Sequence, residues 1–163
     1  MKPFRDLAAA LVLAASAVAQ AADLPKEGSY DFTACWSGAS SMVAFSKTHW
    51  GLSYDMAGST RSNPPGGMFD KHSFRCVGTN ASFDKQPHGN AICEAVDRDG
   101  HKRLTYFETG PDGKVARQFI AGTGKYEGMS ETSGGIEQLG PFPTIKPGTF
   151  QNCNRQTGTY KLK

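Results

Sequence analysis

At 163 residues, with 18 Lys and Arg against 15 Asp and Glu, the chain has the length of one domain and is nearly neutral. A net charge of +3 spread evenly along the sequence offers no basic face to a phosphate backbone, so no nucleic acid is expected among its partners. Nineteen Gly and nine Pro speak against long helices and for strands punctuated by turns.

Residues 1–21 are built like a secretory signal peptide. Lys2 and Arg5 give a positive start, Leu7 to Val18 is an Ala/Leu/Val run, and Ala19-Gln20-Ala21 supplies the small residues of a cleavage site. The apolar run is shorter than the roughly 20 residues that span a bilayer, so no membrane span is expected after signal cleavage. The mature domain is then 22–163, in the periplasm or outside the cell. Cys35, Cys76, Cys93 and Cys153 all follow the signal, and an even cysteine count in an exported chain reads as a disulfide framework with no free thiol.

Past residue 22 the pattern is that of strands. Tyr30, Phe32, Ala34 and Trp36 alternate with Asp31, Thr33, Cys35 and Ser37, the period of a half-buried strand. Trp50, Leu52, Tyr54 and Met56 repeat it against His49, Gly51, Ser53 and Asp55, with a shorter run at Met42 to Lys47 between the two. Ser62 to Gly67 contains two prolines and two glycines and is a loop. Further strands are expected at Ser73 to Gly78, Ala91 to Arg98, Arg103 to Glu108 and Val115 to Ile120. Asp99-Gly100 and Pro111-Asp112-Gly113 provide hairpin turns, because Gly accepts the positive φ that tight turns demand. Late strands at Tyr126 to Glu131, Gly134 to Leu139 and Thr149 to Lys161 complete the count, with Pro141, Pro143 and Pro147 marking a loop before the last.

About eight short strands in one small domain define an all-β protein, either a sandwich or an antiparallel barrel. The cysteines favour the barrel. Cys76 and Cys93 fall on successive strands, where a bridge would staple a hairpin, and Cys35 on the first strand would then pair with Cys153 on the last, which touch when a sheet closes. Four cysteines allow three connectivities, and this one is preferred only because it suits a closed sheet.

Ala121-Gly122-Thr123-Gly124-Lys125-Tyr126-Glu127-Gly128 resembles the Gly-Gly-Thr-Gly-x-Phe turn of the allene oxide cyclase and dirigent barrels, with Ala121 for the first Gly and Tyr126 for the Phe. The ending Gly158-Thr159-Tyr160 after a Pro-rich loop, Gly140-Pro141-Phe142-Pro143, is similar to that of exported bacterial members of the group. The resemblance implies an eight-stranded barrel whose relatives bind or cyclise small hydrophobic molecules inside it. Its motifs are turns and strands, which speak to fold and not to chemistry.

Catalytic motifs are sparse. Gly122-x-Gly124-x-x-x-Gly128 has the wrong spacing for a phosphate cradle, and no Gly-x-Ser-x-Gly elbow occurs. His49, His72, His88 and His101 lack zinc-site spacing, so neither metal nor cofactor is expected. His72 and His101 stand beside Lys71 and Lys102 and read as solvated loop positions. Glu94 is the one weak catalytic candidate: it shares a face with Ile92 and Val96, and on an inward face its desolvated carboxyl would suit acid/base work in a cyclase or isomerase. On an outward face it is an ordinary surface carboxylate. Trp36, Trp50, Tyr54 and Tyr106 are candidates to line a pocket for a small apolar ligand, a packed core being the plainer reading of the same rings. The expectation is a non-catalytic barrel that binds an apolar ligand or a protein partner.

Overall fold

The computed structural model describes residues 24–163; the expected signal peptide, 1–21, lies outside the described residues. Eight antiparallel strands form a nearly closed barrel: β1 (Glu27–Ala44), β2 (Trp50–Ser62), β3 (Ser73–Phe83), β4 (Gln86–Val96), β5 (Lys102–Thr109), β6 (Val115–Gly122), β7 (Ser130–Gln138) and β8 (Thr149–Lys161). The order is β6-β5-β4-β3-β2-β1-β8-β7. Every neighbour is thus also next in sequence, except that β1 pairs with β8 and brings first and last strands together. The remaining seam lies between β6 and β7, which pack side by side with no ladder among the described residues.

Alternation decides what goes inside. On β1, Tyr30, Phe32 and Ala34 are buried while Cys35 is exposed, as expected for a strand with one aromatic and one polar face. The outer face is tied by diagonal ion pairs: Arg155 Nε and Nη2 donate to the two Asp31 carboxylate oxygens at 2.9 and 2.6 Å, and Arg75 grips Asp55 in the same two-pronged manner. Both disulfides join residues directly opposite in a ladder. Cys35–Cys153 clips β1 to β8 on the outside, and Cys76–Cys93 clips β3 to β4 on the inside, the two sulfur pairs being the connectivity that a closed sheet favours. No free cysteine occurs among the described residues.

Several elements differ from the sequence expectation. The run at Met42 is no separate strand, since β1 continues through small residues to Ala44 and stays in register with β2. The two expected late strands merge into one: β7 starts only at Ser130, takes in the end of the first and most of the second, and carries an irregularity between Ser133 and Gly135 where Gly134 lets the strand bulge. Tyr126 belongs to a single 3-10 turn, η1 (Gly124–Tyr126), and not to a strand. The β3–β4 hairpin turns at Asp84-Lys85, both with positive φ, without any glycine to announce it.

One end of the barrel is sealed by its own loop. After β2 the chain runs through Pro64, Pro65, Gly66 and Gly67 and folds back so that Met68 and Phe69 enter the barrel, 2% and 1% exposed. The Asp70 carboxylate holds the turn by accepting from the Ser62 and Gly66 amides at 2.9 and 3.1 Å, and the Thr60 hydroxyl donates to the Phe69 carbonyl. Phe69 then packs among Tyr30, Phe32, His72 and Tyr126, with ring centroids 5.2 to 6.3 Å away. Tyr126, delivered by η1, is fully buried.

Candidate functional site

Above this plug the barrel is hollow. A cavity of about 470 Å³ runs from Ser40, Leu52 and Pro141 near the opposite end down to a floor at Thr60, Arg103 and Arg117. That volume falls within the range of small-molecule sites. The interior is therefore filled at one end and open at the other, correcting the plainer expectation of a core packed throughout.

The hollow has a cause in the sequence. Three wall aromatics lie over glycines directly opposite them on the next strand: Phe150 over Gly38, Phe74 over Gly58 and Tyr54 over Gly78. A methyl group at these glycines would come within 2.6 to 2.8 Å of the rings, so each ring occupies space that a neighbouring side chain would otherwise take and lies along the wall. Ala34, Ala91 and Ala95 face inward where a Leu would have filled the axis.

The candidate residues divide accordingly. Trp36 and Tyr54 are on the cavity wall, and the Tyr54 hydroxyl donates to the Asn90 carbonyl at 3.3 Å. Trp50 has the inward parity of Leu52 and Tyr54 but sits at the strand end, outside the cavity lining. Tyr106 is corrected outright: Thr105 and Phe107 line the cavity, so the residue between them turns to the outer face. Glu94 is corrected as well. Cys93 and Ala95 point in, and Glu94 points out, exposed, with Lys102 Nζ donating to it at 3.1 Å. The cavity thus has no carboxylate among the described residues that line it.

The floor has no counterpart among the site residues expected from sequence. Arg103 and Arg117 alternate with Thr105 and Phe119 on inward faces, a periodic signal that is present in the sequence although arginine is mostly exposed in folded proteins. The Arg117 guanidinium donates to the Tyr30 hydroxyl at 2.7 Å and lies 3.1 Å from Glu131, a charge contact without hydrogen-bond alignment. That contact bridges the unladdered seam from β6 to β7. Arg103 rests on the Phe69 ring, its guanidinium carbon 3.9 Å from the centroid. Burial and the neighbouring Arg117 push its pKa down to about 9, which leaves it cationic at neutral pH.

Beneath the floor a second polar set is closed on itself. The Tyr126 hydroxyl donates to Asp97 at 3.1 Å, and His72 Nε2, also 3.1 Å away, completes the chain as a donor to the tyrosine oxygen. Lys125 Nζ lies 2.7 Å from Asp97 and 3.7 Å from Asp99. Asp97, Asp99 and His101 come close enough together to ligate a cation, but the Lys125 ammonium already supplies the positive charge there. His72 is 2% exposed, which corrects its reading as a solvated loop residue: Phe69 and Tyr126 close over it.

His72 carries a pH dependence whose sign is fixed by its burial. Desolvation first, then Arg103 and Lys125, push its pKa down to about 3 from an unfolded value of 6.5. Between these values the unfolded chain binds the extra proton, so the contribution is complete above pH 6.5 and is lost as pH falls toward 3. From pH 7.5 to 4.5 the loss is about 2 to 3 kcal/mol. Asp97, held down at about 2, adds a further loss only below about pH 4. Denaturant titration at both pH values should show the wild type losing that much more than His72→Gln, whose amide keeps the donor without the titration; equal losses would refute the assignment.

The site is thus the interior of a hollow eight-stranded barrel, sealed below by an aromatic plug and lined by rings above a cationic floor. No known protein family, curated protein or solved structure matches the chain.

Proposed function

We propose that the protein is an exported barrel that binds a small apolar ligand in its interior, in the manner of the allene oxide cyclase and dirigent-like group. The observation that carries this reading is the cavity itself, kept open by rings lying on glycines and by inward alanines. Two disulfides suit an oxidising compartment, consistent with the signal-like start of the sequence and a periplasmic or secreted location. No helix among the described residues is long and apolar enough to cross a membrane. The turn at Gly122 to Gly128, which bears the resemblance, delivers Tyr126 to the sealed end, a structural duty. A cyclase role through Glu94 loses its support, because that carboxylate is on the outer face.

The test uses a neutral probe, N-phenyl-1-naphthylamine. Saturable binding at one site per chain, with perturbation of Trp36 emission, is expected, and Ala91→Phe, which places a ring in the lumen, should abolish it while leaving the β-sheet circular dichroism intact. Absence of saturable binding by the wild type, or undiminished binding by the filled variant, would overturn the reading. A protein partner is the second reading. It is favoured by the apolar side chains near the open end, among them Met42, Val43 and Phe45 on the β1–β2 hairpin and Ile145 in the loop before β8, all exposed.

A further inference from the structure

We propose that the interior ligand is a monocarboxylate, its apolar body against the aromatic wall and its carboxylate on Arg103 at the cavity floor. This rests on the interior-binding reading and adds the chemical class. The other buried charges at the sealed end have partners among the described residues. Arg117 faces Glu131 and Tyr30, and Asp97 faces Lys125 and Tyr126. Arg103 has none. It is 5% exposed, stacks only on the faces of Phe69 and Phe32, and makes no hydrogen bond or ion pair among the described residues; its buried Nε is without an acceptor.

A cation removed from water without a counter-charge is strongly disfavoured, and a guanidinium presents a planar fork of donors that matches a carboxylate. The side chain lines the cavity, so a ligand can reach it. Cavity-lining neighbours such as Asn154, Gln156 and Thr105 are neutral and leave the charge uncompensated. The surplus at the floor is a single positive charge, two guanidinium groups against one carboxylate. A monoanion cancels it, whereas a phosphate dianion would leave an unmatched negative charge. The wall above offers Trp36, Tyr54, Phe74 and Phe107, which suits a flat apolar body.

The experiment compares matched probes on ligand-stripped protein by calorimetry and Trp36 emission: 2-naphthoate against 2-naphthylmethanol, and decanoate against decanol. The carboxylates should bind about 10- to 100-fold more tightly than their alcohols, the value of a charge-assisted pair. The aromatic and aliphatic arms show which body the wall prefers. Arg103→Met should reduce carboxylate affinity to about that of the alcohol, weaken the alcohol far less than the acid, and hold or raise the Tm of the empty protein by removing an unpaired buried charge. If acid and alcohol bind alike to the wild type, the anion site is refuted while interior binding stands; if neither binds, both fail. Equal weakening of both probes by Arg103→Met, or a lower Tm, would make Arg103 a structural residue and overturn the proposal.

Discussion

Replacing Cys35 and Cys153 together by serine should destabilise the protein by about 5 kcal/mol, more than the roughly 3 kcal/mol expected for Cys76→Ala with Cys93→Ala. The difference follows from loop size, because the outer bridge spans 118 residues and the inner one 17, and the unfolded chain gains more freedom when the longer loop is released. Cys35 is exposed on the outer face, so serine there adds no buried hydroxyl and the loss reports loop closure almost alone. The inner pair is buried on the cavity wall, and alanine avoids placing two unsatisfied hydroxyls in it. Urea titration should also show a larger m-value for the outer variant, since its denatured state expands further. An outer loss smaller than the inner one would show that native contacts along the β1–β8 ladder, and not chain closure, hold these strands together.

What the sequence made legible was whatever alternates. The aromatic face of β1, the hairpin glycines Gly100 and Gly113 with φ of 83° and 78°, and the loop at Ser62 to Gly67 follow from local rules that hold whatever the rest of the chain does. The cysteine pairing followed from adding closure to those rules. Turns lacking Gly escaped, as at Asp84-Lys85, where two ordinary residues adopt positive φ because the hairpin register compels them.

The site was half legible for a related reason. Parity places Trp36 and Tyr54 inward once their strands are known, but two adjacent rings, Tyr106 and Phe107, look equally apolar, and only the strand's phase separates them. Arg103 and Arg117 had the correct phase and the wrong chemistry for a core. Their burial becomes intelligible only when Glu131, far along the chain, and the ring of Phe69 are brought beneath them. The hollow was illegible because it depends on pairs such as Tyr54 over Gly78, a cross-strand register that composition does not encode.

Phe69 is the residue that a local reading misses most completely, and Phe69→Ala should cost about 3 to 5 kcal/mol, about a fifth or more of the stability of a domain this size. It follows a Pro/Gly loop and precedes an Asp-Lys pair, so it looks like a surface residue, yet it is 1% exposed and central to the plug. Four rings surround it and the Arg103 guanidinium covers its face, so truncation leaves a void that the barrel wall cannot collapse to fill. Its φ of 67° adds a second handle. Alanine is strained in that left-handed conformation and glycine is not, so Phe69→Gly should be no less stable than Phe69→Ala despite the smaller side chain and looser unfolded state. Phe69→Leu, which keeps most of the volume, should lose least. Water admitted through the opened end would reach the floor and hydrate Arg103, and Trp36 emission above it should shift red in the alanine variant. A loss below about 1 kcal/mol, or a glycine variant clearly worse than alanine, would mean that the loop carrying Phe69 does not plug the barrel in solution.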